Sequence, residues 1–253
     1  MGIKLGVLEP EPVTVTAPRR VRWPLISQRW RDVTLLHWPA DPGLVAPLMP
    51  PGVRPDVVDG TTFVGLVAFR AAATGLGWMP GIPYLGSFPE INVRLYSVGP
   101  DGRRGVVFMS LDAARLLPVA AARAGLLLPY YWARMRVRDH GGVVSYVSER
   151  RFPGPHASVR LTIRVGEPLA EPSELEHFLT ARWGLHAAWY AGRTCYLPNE
   201  HPRWPLRRAQ VTGLTENVIE AAGLPRPGTG PVSVLYSPGV PVRFGLLRPA
   251  ASR

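Results

Sequence analysis

Residues 130–152 read YYWARMRVRDHGGVVSYVSERRF, and the alternation within them decides the architecture. Arg134, Arg136 and Arg138 fall at period two with Met135 and Val137 between them. A strand sends successive side chains to opposite faces, so this run is a strand with one arginine face toward water and one apolar face toward a core. Gly141-Gly142 supplies a turn. Val143–Arg151 and then Ala157–Val165 continue the pattern, which predicts an antiparallel meander beginning at Tyr130–Asp139.

Working outward, Val53–Val58 and Thr61–Ala73 flank Asp59-Gly60, a two-residue hairpin signal. Ile91–Val98 and Gly105–Leu111 flank Gly99-Pro100-Asp101-Gly102 in the same way. Arg29–Trp38 is rich in β-branched and aromatic residues and reads as a strand. Asp41-Pro42 gives an N-cap with proline at the first helical position, predicting a short helix to about Leu48, stopped by Pro50-Pro51. Ala113–Ala124 reads as the main helix, although Pro118 inside it removes a donor and should kink or shorten it. Ser173 and Glu176 have capping-box spacing and open a helix to about Trp183. Strands at Leu185–Tyr190, Thr194–Leu197 and Trp204–Val211, a helix at Glu216–Ala222 and a last pair of strands after Val232 complete the chain. Many strands with few helices make this an α+β fold on a closed or nearly closed antiparallel sheet. Residues 1–27, with Pro10, Pro12, Pro18 and Pro24, form an extended arm, and 28–253 a single domain.

Composition limits the function classes. Gly and Pro, 26 and 29 of 253 residues, stay below the roughly 25–30% of low-complexity chains, and 46% hydrophobic residues support a large core. The formal charge of +11 invites a nucleic-acid reading. The arginines, however, are spread from Arg19 to Arg253 with no single basic surface, so no nucleic-acid partner is expected. Cys195 is alone, which excludes an intramolecular disulfide. Met1–Pro12 lacks the apolar stretch of a signal peptide, and no segment has the length and apolarity of a membrane span, so a cytoplasmic protein without membrane attachment is the expectation. The histidines at 37, 140, 156, 177, 186 and 201 show no metal-ligand spacing, and nucleotide-binding and hydrolase motifs are missing, so neither a metal nor a cofactor is predicted.

Arg31, Asp41-Pro42 through Pro50-Pro51-Gly52, Phe88-Pro89-Glu90, and Leu111-Asp112 leading to Leu128-Pro129-Tyr130-Tyr131 fall in the order of landmarks in the acetoacetate decarboxylase-like superfamily. The runs HWPADP, FPEINVRLY, FMSLDA and LPYYWARM resemble more closely its uncharacterised YqjF-like branch. The resemblance covers roughly residues 28–245 and implies an antiparallel barrel-like sheet with a few flanking helices. In the decarboxylases the proline of the last landmark precedes two lysines, the first of which forms a Schiff base with substrate. Here Tyr130 and Tyr131 take those positions, and the single lysine of the chain is Lys4. A tyrosine makes no iminium, so that mechanism does not carry over.

The resemblance places Glu90 in a site, where burial would raise its pKa and fit it for proton transfer. The residues themselves allow a structural ion pair with Arg94 instead, four positions on along the same face. Arg31, ten residues before Asp41, is implied as a carboxylate fork, with Arg94 the other candidate to hold a substrate carboxylate and Tyr131 a further binding candidate. A second decarboxylase glutamate falls near Leu66 and is lost. Tyr130 could hydrogen-bond a carbonyl oxygen or simply pack, and only one of Tyr130 and Tyr131 should face the interior. His37 and Arg70, polar in apolar strands, are further binding candidates. Asp112 reads as a helix cap. Trp78, Tyr84 and residues 130–132 would line an aromatic pocket or build a core. Three functions remain open: an enzyme acting on a small organic acid or carbonyl compound, a non-catalytic binder of such a ligand, and a scaffold with a filled sheet. A homo-oligomer is compatible with each.

Overall fold

The structure is a computed structural model that describes residues 8–250 apart from 117, 118, 121, 122, 124 and 126. Lys4 therefore lies outside the described residues, as does much of the helix predicted over residues 113–124, Pro118 included. Thirteen strands form one sheet: β1 Ile26–Ala40, β2 Arg54–Pro55, β3 Thr62–Leu76, β4 Phe88–Val98, β5 Arg104–Ala113, β6 Tyr130–His140, β7 Val143–Phe152, β8 Ser158–Pro168, β9 Gly184–Trp189, β10 Arg193–Glu200, β11 Arg207–Glu216, β12 Ser233–Phe244 and β13 Arg248–Pro249. Among the described residues, short helices include α1 Pro42–Val45, α2 Glu174–Thr180 and α3 Val218–Ala221. Among the described residues no helix is long and apolar enough to cross a membrane.

The sheet closes on itself. From β5 the hydrogen-bonded order runs β6, β7, β8, β11, β12, β1, β3 and β4, and β4 pairs back with β5. A second closure runs from β5 through β9 and β10 to β12. It is thin, since Val106↔Leu185 is the pair joining β5 to β9, and β10 meets β12 at Asn199↔Phe244 and Glu200↔Arg243. The two rings share the wall β12–β1–β3–β4–β5. Strand alternation then gives that wall two apolar faces. Leu36, Leu66, Ile91, Val93 and Tyr236 pack on one side with Val144, Leu161 and Ile163 from the β7–β8 arc. Val33, Leu35, Phe69, Ala113 and Leu235 pack on the other, beside Trp30, Tyr130 and Trp204.

The expected antiparallel sheet is in fact mixed, because β6 and β9 both run parallel to β5. Parallel neighbours need a crossover rather than a hairpin, and residues 114–129 make it between β5 and β6. The meander β6–β7–β8 is present with Arg134, Arg136 and Arg138 exposed and Met135 and Val137 turned inward. The hairpin predicted about Asp59-Gly60 is reduced to a bridge between Val58 and Thr61, and β2 pairs with β4 instead of β3. Pro55 has no N–H to give a ladder, which confines this segment to the edge of the sheet.

Helix α1 carries the predicted cap, Asp41 accepting from the Gly43 N–H at 2.7 Å. Helix α2 has both halves of the capping box but ends at Thr180, short of Trp183. Its C-terminal carbonyl of Phe178 accepts from two nitrogens of the Arg182 side chain, which also pairs with Asp56. The chain must leave the helix for that guanidinium to fold back. The arm from residue 8 lies along the sheet: the Glu11 N–H donates to the Gly102 carbonyl, Trp183 Nε1 to the Thr14 carbonyl and the Val21 N–H to Glu200.

Candidate functional site

Alternate residues of β4 place Phe88, Glu90, Asn92, Arg94 and Tyr96 on the wall face opposite Ile91 and Val93. Glu90 is paired in register with Phe69 on one side and Ala113 on the other, two residues of the apolar cluster on that face. Glu90 is 5% exposed, and burial pushes its pKa up to about 8 against the opposing help of hydrogen bonds from Asn92 and Tyr130. Tyr130 enters from the start of β6 and donates to Glu90 Oε2 at 3.4 Å, long for an O–H···O bond. Burial, and then the charge of Glu90, raise the phenol far above its ordinary value, so it stays a donor. A carboxyl group that titrates near neutrality beside a fixed phenol is a proton-transfer pair in chemical terms.

Arg94 does not meet Glu90. Its Nη2 donates to the Tyr96 hydroxyl at 3.1 Å and to the Leu179 carbonyl at 2.9 Å, tying β4 to the end of α2. The ion pair considered for these two residues is absent, and Arg94 serves the helix. His37 lies on the same wall face, fully buried, its ring 6.1 Å from that of Tyr96. Burial, reinforced by the charge of Arg94, holds its pKa well below the usual histidine value, so it is a neutral core residue.

The other three predicted residues lie elsewhere. Arg31 is exposed and sits in register with Arg70, whose Nε pairs with Asp32 at 2.9 Å. Asp32 occupies a β-bulge with φ of 49°, and its carboxylate also accepts from Tyr236 at 3.2 Å. Its carbonyl accepts from the Tyr146 hydroxyl at 2.5 Å, and that hydroxyl also lies 2.9 Å from Thr34. Tyr146 is on β7 and Asp32 on β1, with at least three strands between them either way round the nine-strand ring, so the phenol crosses its interior. Tyr131 faces this same interior, stacked on Arg150 at 3.7 Å. Arg150 in turn holds Asp112 at 2.7 Å and Ser110 at 2.6 Å, all three buried. Asp112 is therefore an ion-pair partner and not the predicted helix cap; burial nonetheless raises its pKa.

The seven predicted residues thus divide: Glu90, Tyr130, Arg94 and His37 on one face of the wall, Arg31, Arg70 and Tyr131 on the other. Among the described contacts, the side-chain hydrogen bond within this set joins Glu90 and Tyr130. Asn92 was missed, though its place two residues beyond Glu90 on a strand was a usable signal. Trp78 and Tyr84 are largely exposed. Cys195 is buried, donates to the Ala187 carbonyl at 3.4 Å, and has its thiol pKa raised by burial, as befits a small core residue. Open clefts lie away from Glu90: one of about 280 Å³ beside Arg20, Glu200 and Arg243, another of about 300 Å³ beside Asp41 and Thr61.

Comparison with known proteins bears on the whole chain. The model of the DUF2071 family, an uncharacterized conserved protein, matches residues 27–241. The uncharacterized protein YqjF of Bacillus subtilis (strain 168) is 31% identical over 209 residues, covering 82% of this chain and 86% of the relative. Among solved structures, acetoacetate decarboxylase from Legionella pneumophila superposes with a TM-score of 0.60 at 13% identity over 93% of this chain and 92% of its own. An acetoacetate decarboxylase-like enzyme from Sphingomonas wittichii RW1 gives 0.60 at 12% over 96% of each. The enduracididine biosynthesis enzyme MppR, in complex with pyruvate, gives 0.60 at 12% over 90% and 91%. At such identities the likeness is one of fold.

Proposed function

The chain belongs to the DUF2071 family and has the acetoacetate decarboxylase-like fold, and from that premise we propose that it binds a small carbonyl compound in a pocket of its barrel and moves a proton on it without a Schiff base. The reading rests on one observation, the buried Glu90 carboxyl with a pKa of about 8 held against the Tyr130 phenol. As carboxylate, Glu90 removes a proton from the carbon next to the carbonyl; the Tyr130 hydroxyl turns its hydrogen bond to the enolate oxygen that develops. The reading does without an iminium because the chain has one lysine, Lys4, and Tyr130 and Tyr131 stand where the resemblance places the decarboxylase lysines. MppR, solved with pyruvate and with the condensation product of pyruvate and imidazole 4-carboxaldehyde, supports a small carbonyl acid as the ligand class.

The experiment is exchange of the methyl protons of pyruvate in deuterium oxide, followed by proton NMR. Exchange should rise with pH through about 8 as Glu90 ionises. Glu90→Gln should abolish it, and Tyr130→Phe should slow it on the order of a hundredfold with little change in affinity. Wild-type protein that binds pyruvate without exchanging it would leave a non-catalytic binder. Protein that does neither would leave Glu90 as a packing residue.

A further inference from the structure

The cleft of about 280 Å³ lies where the second ring closes, between the N-terminal arm and the Glu200↔Arg243 pair that joins β10 to β12. Its charged lining is uneven. Glu200 is committed: Oε2 accepts from the Val21 N–H at 2.6 Å and Oε1 from Arg243 Nη1 at 3.1 Å. Arg243 gives one of its five donors to that contact and is braced by the Trp78 ring at 4.5 Å, which leaves the rest of its fork free. Arg20 reaches the cleft from the arm, exposed and with no ion pair among the described residues.

His201 forms part of the lining, packed between Trp183 and Trp204 at 4.6 Å from each ring. Its Nδ1 faces the Pro202 carbonyl at 2.7 Å, and burial lowers its pKa to about 4, so it adds no charge at neutrality. Pro202 and Pro241 supply apolar walls without N–H groups. Two guanidinium groups against one carboxylate leave an excess positive charge in a recess of small-molecule size, and a guanidinium fork matches a carboxylate through paired hydrogen bonds. We propose that this cleft binds a small organic carboxylate, held between Arg20 and Arg243. The site is separate from Glu90 and stands without the reading given for that residue.

Isothermal titration with succinate in low-salt buffer tests it on the full chain. One saturable site is expected, weakened about tenfold by Arg20→Ala and similarly by Arg243→Gln, as each removes a charge-assisted bond. Glu200→Gln should tighten binding, because it removes the competing carboxylate. Glu90→Gln and the distant Arg136→Ala should leave it unchanged. Both arginine changes are on exposed side chains; should Arg243→Gln nevertheless lose its near-UV circular dichroism, Arg20→Ala alone decides. No saturable binding, binding that ignores Arg20→Ala, or an equal loss in Arg136→Ala, which would mean bulk attraction to a basic protein, overturns the proposal.

Discussion

At the scale of single residues, Glu90 gives the sharpest expectation. Its folded pKa of about 8 lies above the 4.5 of an exposed glutamate, so between those values the folded state holds a proton that the unfolded chain has lost. The stabilising contribution is fully present below about pH 4.5 and is lost as pH rises through 8, at up to about 1.4 kcal/mol per pH unit. Urea unfolding at a series of pH values should show that decline, and Glu90→Gln should flatten it, since the amide is neutral throughout. A Glu90→Gln protein with an unchanged pH slope would mean that Glu90 is not the group responsible. Glu90 was legible as a site residue through the family resemblance, and its neighbours Phe88, Pro89 and Ile91 gave reason to expect its burial. The sequence left the partner of that acid ambiguous. A strand spacing of four says that Glu90 and Arg94 share a face, but the long guanidinium reaches toward Leu179, a contact of distant sequence origin. Asp112 was misread for the same reason, its partner Arg150 arriving from two strands away.

At the scale of elements, the local signals that held were those in which a few adjacent residues settle the geometry: the Asp41 cap, the Ser173–Glu176 box and the glycine turn between β6 and β7. Those that failed needed information from elsewhere. Nothing in residues 130–140 records that they run parallel to β5, and the Asp59-Gly60 turn does not reveal that β2 pairs with β4. The β1 bulge is another such feature. Asp32 adopts a positive φ there, and across the ladder Gly239 approaches so closely that a Cβ would sit 1.9 Å from the Trp30 carbonyl oxygen, at a φ of +121°. An L side chain fits neither the space nor the dihedral. Gly239→Ala should therefore destabilise the protein by about 2 kcal/mol or more. Chemical denaturation would measure this, and a loss under about 0.5 kcal/mol, ordinary for a surface change, would show that the bulge relaxes freely.

At the scale of the molecule, the shared wall makes the two rings one cooperative object. Leu35 and Leu36 are neighbours on β1, at 1% and 0% exposure, yet Leu35 packs toward the seven-strand ring with Phe69 and Leu235, and Leu36 toward the nine-strand ring with Leu66 and Ile91. Each truncation, Leu35→Ala or Leu36→Ala, deletes a fully buried branched side chain and should cost about 2–5 kcal/mol. If the rings were separable, each variant would melt its own half: tryptophan fluorescence, dominated for one half by Trp30, Trp183 and Trp204, would then part company with far-UV circular dichroism. The shared strands argue otherwise. Unfolding the unshared arc of either ring strips β1, β3 and β4 of one packed face and takes a hydrogen-bonded neighbour from each of β5 and β12, the strands at the two ends of the wall. Both variants should therefore show a single transition, coincident by the two probes and shifted to lower denaturant with an unchanged slope. Two resolved transitions in either variant would mean that the thin β5–β9 and β10–β12 junctions open independently, and that the seven-strand ring can come apart while the nine-strand ring stays folded.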